Sequence, residues 1–196
     1  NKSDGEIYSF SNGLSSDNLE ILEIPNFGSA MDRFNPDEAA RVRWTFDGQE
    51  IFKSGVRAMA QASAEAIEKS GLSKEDVDIF IPHQANIRIV EALEKKLGLP
   101  NATTIKKVHR YGNTSAASIP TAFVDALEEG EIKGGEIAVF TAVGAGLAWG
   151  ACAVRLGDRV TPINKSDAKL PDFDGTATDT IKRAIEYQVP DKLDKI

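Results

Sequence analysis

The sequence has few of the residues that build metal centres or disulfide bonds. Its 196 residues include one cysteine and two histidines. One cysteine cannot form an internal disulfide bond, and the three residues together are a poor ligand set for a structural zinc site. We therefore expect neither a metal nor an internal disulfide bond.

Long hydrophobic runs and an excess of basic charge are also missing. No run approaches the roughly 18 apolar residues of a membrane span, and the N-terminal stretch lacks the basic-then-apolar pattern of a signal peptide. The formal net charge of -7 argues against nucleic acid as the main partner. The sequence thus predicts a cytoplasmic protein that binds neither nucleic acid nor a membrane.

Short apolar segments alternate with segments of helical periodicity, which indicates an α/β core ending near Leu156. The segments predicted as strands are "EIYSF", "LEILEI", "VDIFIP", "GEIAVFTAV" and "LAWGACAVRL". Helices are predicted over 46–69, over 86–97 and within "TSAASIPTAFVDALEEG". Residues 157–196 are rich in Asp, Lys, Pro and Gly and read as an extended tail with one short helix candidate, "TDTIKRAIEYQ".

The first candidate site residue is His83, in the stretch "IPHQANIRI". It follows a short apolar strand and precedes a predicted helix, where a side chain can leave the core while its backbone stays fixed. A histidine in such a place is also often structural, bonded to nearby backbone. Its position alone leaves both interpretations open.

The second candidate is Asn113, in "YGNTSAASIP". An asparagine after Gly112, at the start of a helix, can be a plain helix cap or turn residue. However, the small residues 115–118 that follow would let this helix start pack very close to a neighbouring element, which a solvent-facing cap does not need.

The segments "PHQANIRI", "YGNTSAASIP" and "GAGLAWG", in this order and at these separations, resemble the C-terminal half of β-ketoacyl-acyl carrier protein synthase III, a member of the thiolase-like superfamily. The resemblance spans about Gly5 to Leu156. It implies that residues 1–156 form a layered helix–sheet–helix unit, the second half of a duplicated α/β fold. It also implies that His83 and Asn113 belong to a Cys-His-Asn catalytic set.

The residue types suit the chemistry that the resemblance implies. A decarboxylative condensation must stabilise an enolate on a thioester oxygen, and a neutral imidazole N–H and a carboxamide N–H are both suitable donors. By resemblance, the backbone N–H of Ala145 in the "GAG" turn serves a second oxyanion hole. Without the resemblance, that turn would be an ordinary connection between strands.

The resemblance also implies positions that bind the substrate or the carrier protein. These positions are Gly48, Lys53, Asn86, Arg88, Lys95 and Lys96. On a helix, Arg88, Lys95 and Lys96 can share one face and attract the phosphates of coenzyme A or an acidic carrier protein. A solvated helix face is the alternative.

The chain departs from the family in its cysteine. The family nucleophile is a cysteine in the N-terminal half, at the start of a buried helix. Cys152 instead lies within a predicted strand, and we expect it to be a small apolar residue. Val143 replaces an aromatic residue of many relatives, and His109 matches no catalytic position.

We therefore expect an acyltransferase that condenses an acyl group with malonyl-acyl carrier protein to give a β-ketoacyl product. Its cysteine would lie on an N-terminal half, as a separate chain or a cleaved segment, and the complete fold would be dimeric. Thioesters of coenzyme A and acyl carrier protein would be the substrates, with no separate cofactor. The alternatives are a starter acyltransferase of secondary metabolism and a non-catalytic subunit that docks the carrier protein.

Overall fold

A computed structural model describes residues 4–17, 19–24, 45–161 and 175–188. The first three ranges belong to one compact unit, and 175–188 belongs to a second. The strands are β1 (Glu6–Leu14), β2 (Leu22–Glu23), β3 (Thr45–Phe46), β4 (Ile79–Pro82), β5 (Thr103–Thr104), β6 (Ile137–Gly144) and β7 (Ala148–Arg155). The α-helices are α1 (Gly48–Lys69), α2 (Ile87–Leu97), α3 (Val108–Tyr111), α4 (Ser118–Glu128) and α5 (Ala177–Gln188).

The first unit is built on a five-stranded mixed sheet with the strand order β1-β7-β6-β4-β5. β4 runs parallel to both β5 and β6, whereas β7 runs antiparallel to both β6 and β1. The short strands β2 and β3 pair separately. The predicted α/β class and its layered helix–sheet–helix arrangement are confirmed.

Helices α1 and α2 cover one face of this sheet. Their apolar residues form a core cluster with residues of β4, β6 and β7, including the fully buried Met59, Phe80 and Leu93. α1 begins where Asp47 accepts hydrogen bonds from the backbone N–H groups of Gln49 and Glu50. It ends before Gly71, whose φ of +69° is the left-handed conformation of a helix stop.

Helix α4 covers only part of the opposite face. It packs over β4 and β6, where the rings of Phe123 and Phe140 lie 6.0 Å apart between centroids. Pro120 lies in the first turn of α4, as the sequence predicted. On the β1 and β7 side of this face, Phe10 remains 64% exposed. We call the surface lined by Phe10, Asn12, Ile119, Phe140 and Cys152 the open sheet face.

Two local predictions were wrong. "LEILEI" forms a short 3-10 helix over Leu19–Ile21 and only the two-residue strand β2. β1 continues through Leu14, beyond the predicted "EIYSF", because residues 9–14 pair with residues 148–153 of β7 in one register after a bulge at Tyr8. In both places the tertiary pairing partner, rather than local propensity, decides the extent of the strand.

The second unit is described only over 175–188. α5 confirms the helix predicted in the tail, and Thr176 caps it by accepting a hydrogen bond from the backbone N–H of Asp179. The carboxylate of Asp179 accepts in return from the backbone N–H of Thr176, at 2.7 Å. The division of the chain into 1–156 and 157–196 stays a prediction.

Candidate active site

His83 is held directly after β4, at the end of the parallel pair of β4 and β6. Its backbone N–H donates to the carbonyl of Thr141 at 2.7 Å, which extends the β4–β6 ladder by one bond. The imidazole is partly buried, and this burial lowers the pKa of His83 below its ordinary value because it disfavours the charged form. The neutral imidazole is therefore the dominant form near neutral pH.

The imidazole contacts the first turn of α4. Its Nδ1 atom lies 2.6 Å from Oγ of Ser118, and the same Oγ accepts from the backbone N–H of Gln84 at 3.3 Å. Ser118 is 3% exposed. This contact joins two of the segments singled out in the sequence, "PHQANIRI" and "YGNTSAASIP".

Asn113 lies in the segment that leads into α4. Its Oδ1 accepts a hydrogen bond from the backbone N–H of Ser115 at 2.9 Å, which forms a local turn. α4 itself begins at Ser118, so Asn113 caps this turn rather than the helix. Because the oxygen of the carboxamide is occupied, its exposed NH₂ group is left as a donor.

Ala145 lies in the turn between β6 and β7. The two strands pair up to Gly144 and Ala148, and Ala145 directly follows Gly144 as an exposed residue. The structure thus places Ala145 at the end of β6, which is the strand that pairs with β4 beside His83. Its role as an oxyanion donor stays a prediction.

Four of the predicted binding residues line one pocket. Gly48 and Lys53 come from the start of α1, whereas Asn86 and Arg88 come from the start of α2. The pocket has a volume of about 820 Å³, and we call it the α1–α2 pocket. Oδ1 of Asn86 caps α2 by accepting from the backbone N–H of Ile89 at 3.0 Å, so its NH₂ group remains available as a donor.

Lys95 and Lys96 lie elsewhere on the surface. Both are exposed residues of the last turn of α2, two turns away from Arg88, and neither lines the α1–α2 pocket. The structure therefore splits the predicted cationic patch into two parts. Arg88 and Lys53 line the pocket, and the lysine pair marks the opposite end of the same helix.

The α1–α2 pocket is also lined by Phe52, Gln49 and Ile87, which no sequence pattern predicted as binding residues. Phe52 precedes Lys53 on α1 and packs partly against the core. In the sequence, Phe52 is one of the apolar residues of the predicted helix over 46–69, and that pattern by itself indicates only a core position. A residue at the edge of an apolar stripe can serve both the core and a pocket, and only the position of α2 reveals the second role.

Cys152 and His109, which match no catalytic position in the sequence, have different surroundings. Cys152 lies in the middle of β7, opposite Phe140, and is half-buried on the open sheet face. Burial raises the pKa of its thiol, which disfavours the thiolate. His109 is an exposed residue of α3.

Within the described ranges, no helix is long and apolar enough to cross a membrane, and no cluster of His, Cys, Asp and Glu could hold a metal.

Comparison with known proteins places this fold in one class. Residues 67–156 match the family described as 3-oxoacyl-acyl-carrier-protein (ACP) synthase III, C terminal. A β-ketoacyl-acyl-carrier-protein synthase III 2 of Vibrio cholerae is 48% identical over 177 residues, covering 89% of this chain and 48% of the relative. The chain thus spans about half the length of the curated relatives that it matches.

Solved structures agree with this assignment. A 3-oxoacyl-acyl-carrier-protein synthase III of Aquifex aeolicus superposes with a TM-score of 0.66 at 35% identity, over 79% of this chain and 46% of that one. A priming β-ketosynthase from a polyketide biosynthetic pathway gives a TM-score of 0.71 at 30% identity, over 78% of this chain and 46% of that one. The fold is therefore that of the thiolase-like condensing enzymes.

More specifically, residues 67–156 form a C-terminal domain of the β-ketoacyl-acyl carrier protein synthase III family. The resemblance inferred from the sequence is confirmed.

Proposed function

We propose that this chain supplies the second half of an acyltransferase that joins an acyl group to malonyl carried on acyl carrier protein. The observation that carries the proposal is the contact of the His83 imidazole with Ser118, the first residue of the helix that follows Asn113. His83 has a pKa lowered by burial, and Asn113 has its amide oxygen tied to Ser115. Both residues can thus donate to an oxygen that becomes negatively charged.

The condensation requires such donors at one step. The bond between the malonyl carboxylate and its neighbouring carbon breaks, carbon dioxide leaves, and the electron pair moves onto the thioester as an enolate. His83 and Asn113 stabilise this enolate oxygen. The enolate carbon then attacks the acyl thioester on a cysteine, and the thiolate of that cysteine leaves as the new carbon–carbon bond forms.

The nucleophilic cysteine belongs to a partner half. Cys152 is unsuited because burial raises the pKa of its thiol and it lies in mid-strand. The open sheet face supports a partner, because a largely apolar surface of this kind is costly to leave in water. In the complete assembly, which we propose is dimeric, the N-terminal half covers this face.

The α1–α2 pocket binds the thioester substrate. Lys53 and Arg88 supply positive charge for the phosphates of coenzyme A or of a carrier's phosphopantetheine arm, and the backbone N–H of Ala145 stabilises the oxyanion of acyl transfer. Lys95 and Lys96 attract the acidic carrier protein. No separate cofactor is required for this chemistry. Location in the cytoplasm stays a prediction from the sequence.

Two other functions remain as alternatives. A starter acyltransferase of secondary metabolism would share the donors and differ in its acyl pocket, and the similarity to a polyketide priming synthase favours it as the second candidate. A carrier-docking subunit without catalysis would need the cationic surfaces but neither His83 nor Asn113.

The proposal is tested by native purification of the chain, intact mass measurement of every polypeptide that accompanies it, and incubation with labelled acetyl coenzyme A. The expected result is a partner that takes the label on a cysteine and loses it when malonyl-acyl carrier protein is added. His83→Ala or Asn113→Ala should leave the first step and slow the second by about 100–1000-fold, because one donor is lost.

A result with carrier binding but no condensation would favour the docking subunit. Equal turnover by wild type and both alanine variants would overturn the proposed donors. Labelling of Cys152 itself would overturn the division of roles between the two halves.

A further inference from the structure

The donor in the hydrogen bond between His83 and Ser118 can be assigned, because the backbone N–H of Gln84 also contacts Oγ of Ser118. Oγ of Ser118 lies 2.6 Å from Nδ1 of His83 and 3.3 Å from the backbone nitrogen of Gln84. A backbone N–H can only donate, so the serine oxygen accepts from Gln84. The single hydroxyl hydrogen of Ser118 must then be directed to another acceptor.

That acceptor is the imidazole. A hydroxyl has one hydrogen to donate, and the 3% exposed Ser118 has little access to water. Among the hydrogen bonds of the described residues, its only other partner is Nδ1 of His83. If Ser118 donates to Nδ1, that nitrogen carries no hydrogen, and the ring hydrogen of the neutral imidazole lies on Nε2.

We propose that Ser118 is a positioning residue that fixes His83 in the Nε2–H tautomer. The value of this tautomer to catalysis rests on the proposed function, because Nε2–H is then the donor that stabilises the enolate. The assignment of the tautomer itself rests only on the contacts of Ser118. It therefore stands or falls independently of the reaction.

The same geometry disfavours the imidazolium ion. A charged ring carries a hydrogen on Nδ1 as well, so Ser118 would face two donors, Gln84 and His83, and would have to turn its own hydrogen away from both. Burial of the ring acts in the same direction, since it lowers the pKa of His83. The hydroxyl thus selects one tautomer and also opposes protonation.

The chain offers a direct test, because it contains only two histidines. Nitrogen-15 labelling of the imidazoles and a long-range proton–nitrogen correlation spectrum at pH 7.5 would give two ring systems. His109→Gln removes the exposed one and assigns the other to His83. We expect the wild-type ring to show a protonated Nε2 and an unprotonated Nδ1.

Ser118→Ala should convert this single tautomer into a mixture of both. Ser118→Thr keeps a hydroxyl and should retain the Nε2–H form. The matched control is Ser63→Ala, which removes a buried hydroxyl that donates only to the carbonyl of Met59. It should leave the His83 signals unchanged.

A protonated Nδ1 of His83 in the wild-type spectrum would overturn the proposal. This measurement needs no Ser118 variant, so it can be made even if Ser118→Ala does not fold. An unchanged single tautomer in Ser118→Ala would overturn it as well.

Reconstitution with the partner half separates this proposal from the proposed function. Ser118→Ala should lower kcat for condensation while KM stays unchanged, and a mixed tautomer with full kcat would support the positioning role and count against the condensation role of His83.

Discussion

The carboxamide oxygen of Gln84 accepts a hydrogen bond from the backbone N–H of Lys107 at 2.9 Å, and a second from that of Val108 at 3.2 Å. The NH₂ group of the same side chain donates to the carbonyls of Pro82 and Ile105. One side chain therefore ties the end of β4 to the segment that runs from β5 into α3. This tie holds His83, the preceding residue of the chain, at the site.

Gln84→Leu should destabilise the fold strongly. Leucine has a similar volume, but at this 2% exposed position it would leave two backbone N–H groups and two carbonyls without the partners they have now. We expect a loss of about 2–4 kcal/mol in the free energy of unfolding, measured by urea denaturation. The control is Gln61→Leu on the exposed face of α1, which should change stability by less than about 0.5 kcal/mol. Equal changes in the free energy of unfolding for the two variants would contradict the proposed role of Gln84 in tying β4 to the segment before α3.

Gly13 makes room for the indole of Trp149. A Cβ atom at this position would lie 2.6 Å from the ring, and the ring is packed against the small residues Ala62, Ala66 and Ala151. Gly13→Ala should therefore cost about 1–3 kcal/mol of stability. Gly144→Ala is the control, because a Cβ there meets nothing within 4 Å. A neutral Gly13→Ala would mean that the ring moves aside freely.

The cationic residues of the α1–α2 pocket should control the binding of coenzyme A. Arg88→Ala or Lys53→Ala should weaken binding by about 10-fold, since each removes one charge-assisted contact to phosphate. The effect should shrink at high salt because both side chains are exposed. Isothermal titration calorimetry at two salt concentrations measures both effects, with Lys133→Ala as the control for an exposed lysine outside the pocket.

Reversing Lys95 and Lys96 to glutamate should have a different result. These residues lie outside the α1–α2 pocket, so coenzyme A affinity should not change. The association rate of an acyl carrier protein should fall, because an acidic partner is steered by local positive charge. Stopped-flow measurement of association would check this separation, and a parallel loss of coenzyme A affinity would contradict it.

The buried imidazole of His83 should make stability depend on pH. Burial lowers the pKa of His83 below its ordinary value in the folded state, so the unfolded chain takes up a proton at a higher pH than the folded chain does. The neutral imidazole of His83 therefore contributes to the free energy of unfolding above the pKa of the unfolded state. This contribution is lost as the pH falls from that pKa toward the lower pKa of the folded state. Urea midpoints should decrease between pH 7.5 and 5.5, and His83→Gln should reduce that decrease.

Cys152 should report on the open sheet face. As the sole cysteine, it is the only site for a thiol reagent, and its raised pKa should make alkylation slow near neutral pH and faster at alkaline pH. A partner half that covers this face should protect the thiol. Mass spectrometry of iodoacetamide-treated chain, alone and in the complex, measures the difference; equal rates would place the partner on another surface.

Local patterns predicted the elements that carry the site. The apolar run before His83 became β4, and the periodicity of 86–97 became α2 with Asn86 as its cap and Gly98 as its stop. These predictions succeeded because strand burial, helix capping and glycine stops depend on neighbouring residues. "LEILEI" failed because its two-residue pairing is with β3, more than twenty residues away in the chain.

The sequence by itself therefore determined the α/β class, the principal helices and strands, the family and the candidate donors His83 and Asn113, since each depends on a short run of residues. Only the tertiary structure decided that Ser118 contacts His83, which lies 35 positions earlier in the chain. It also decided that the side chain of Gln84 ties β4 to Lys107. Finally, it decided that Lys95 and Lys96 lie outside the α1–α2 pocket. The physical reason is that these contacts depend on how the elements pack, and packing is set by the burial of whole faces rather than by any local pattern.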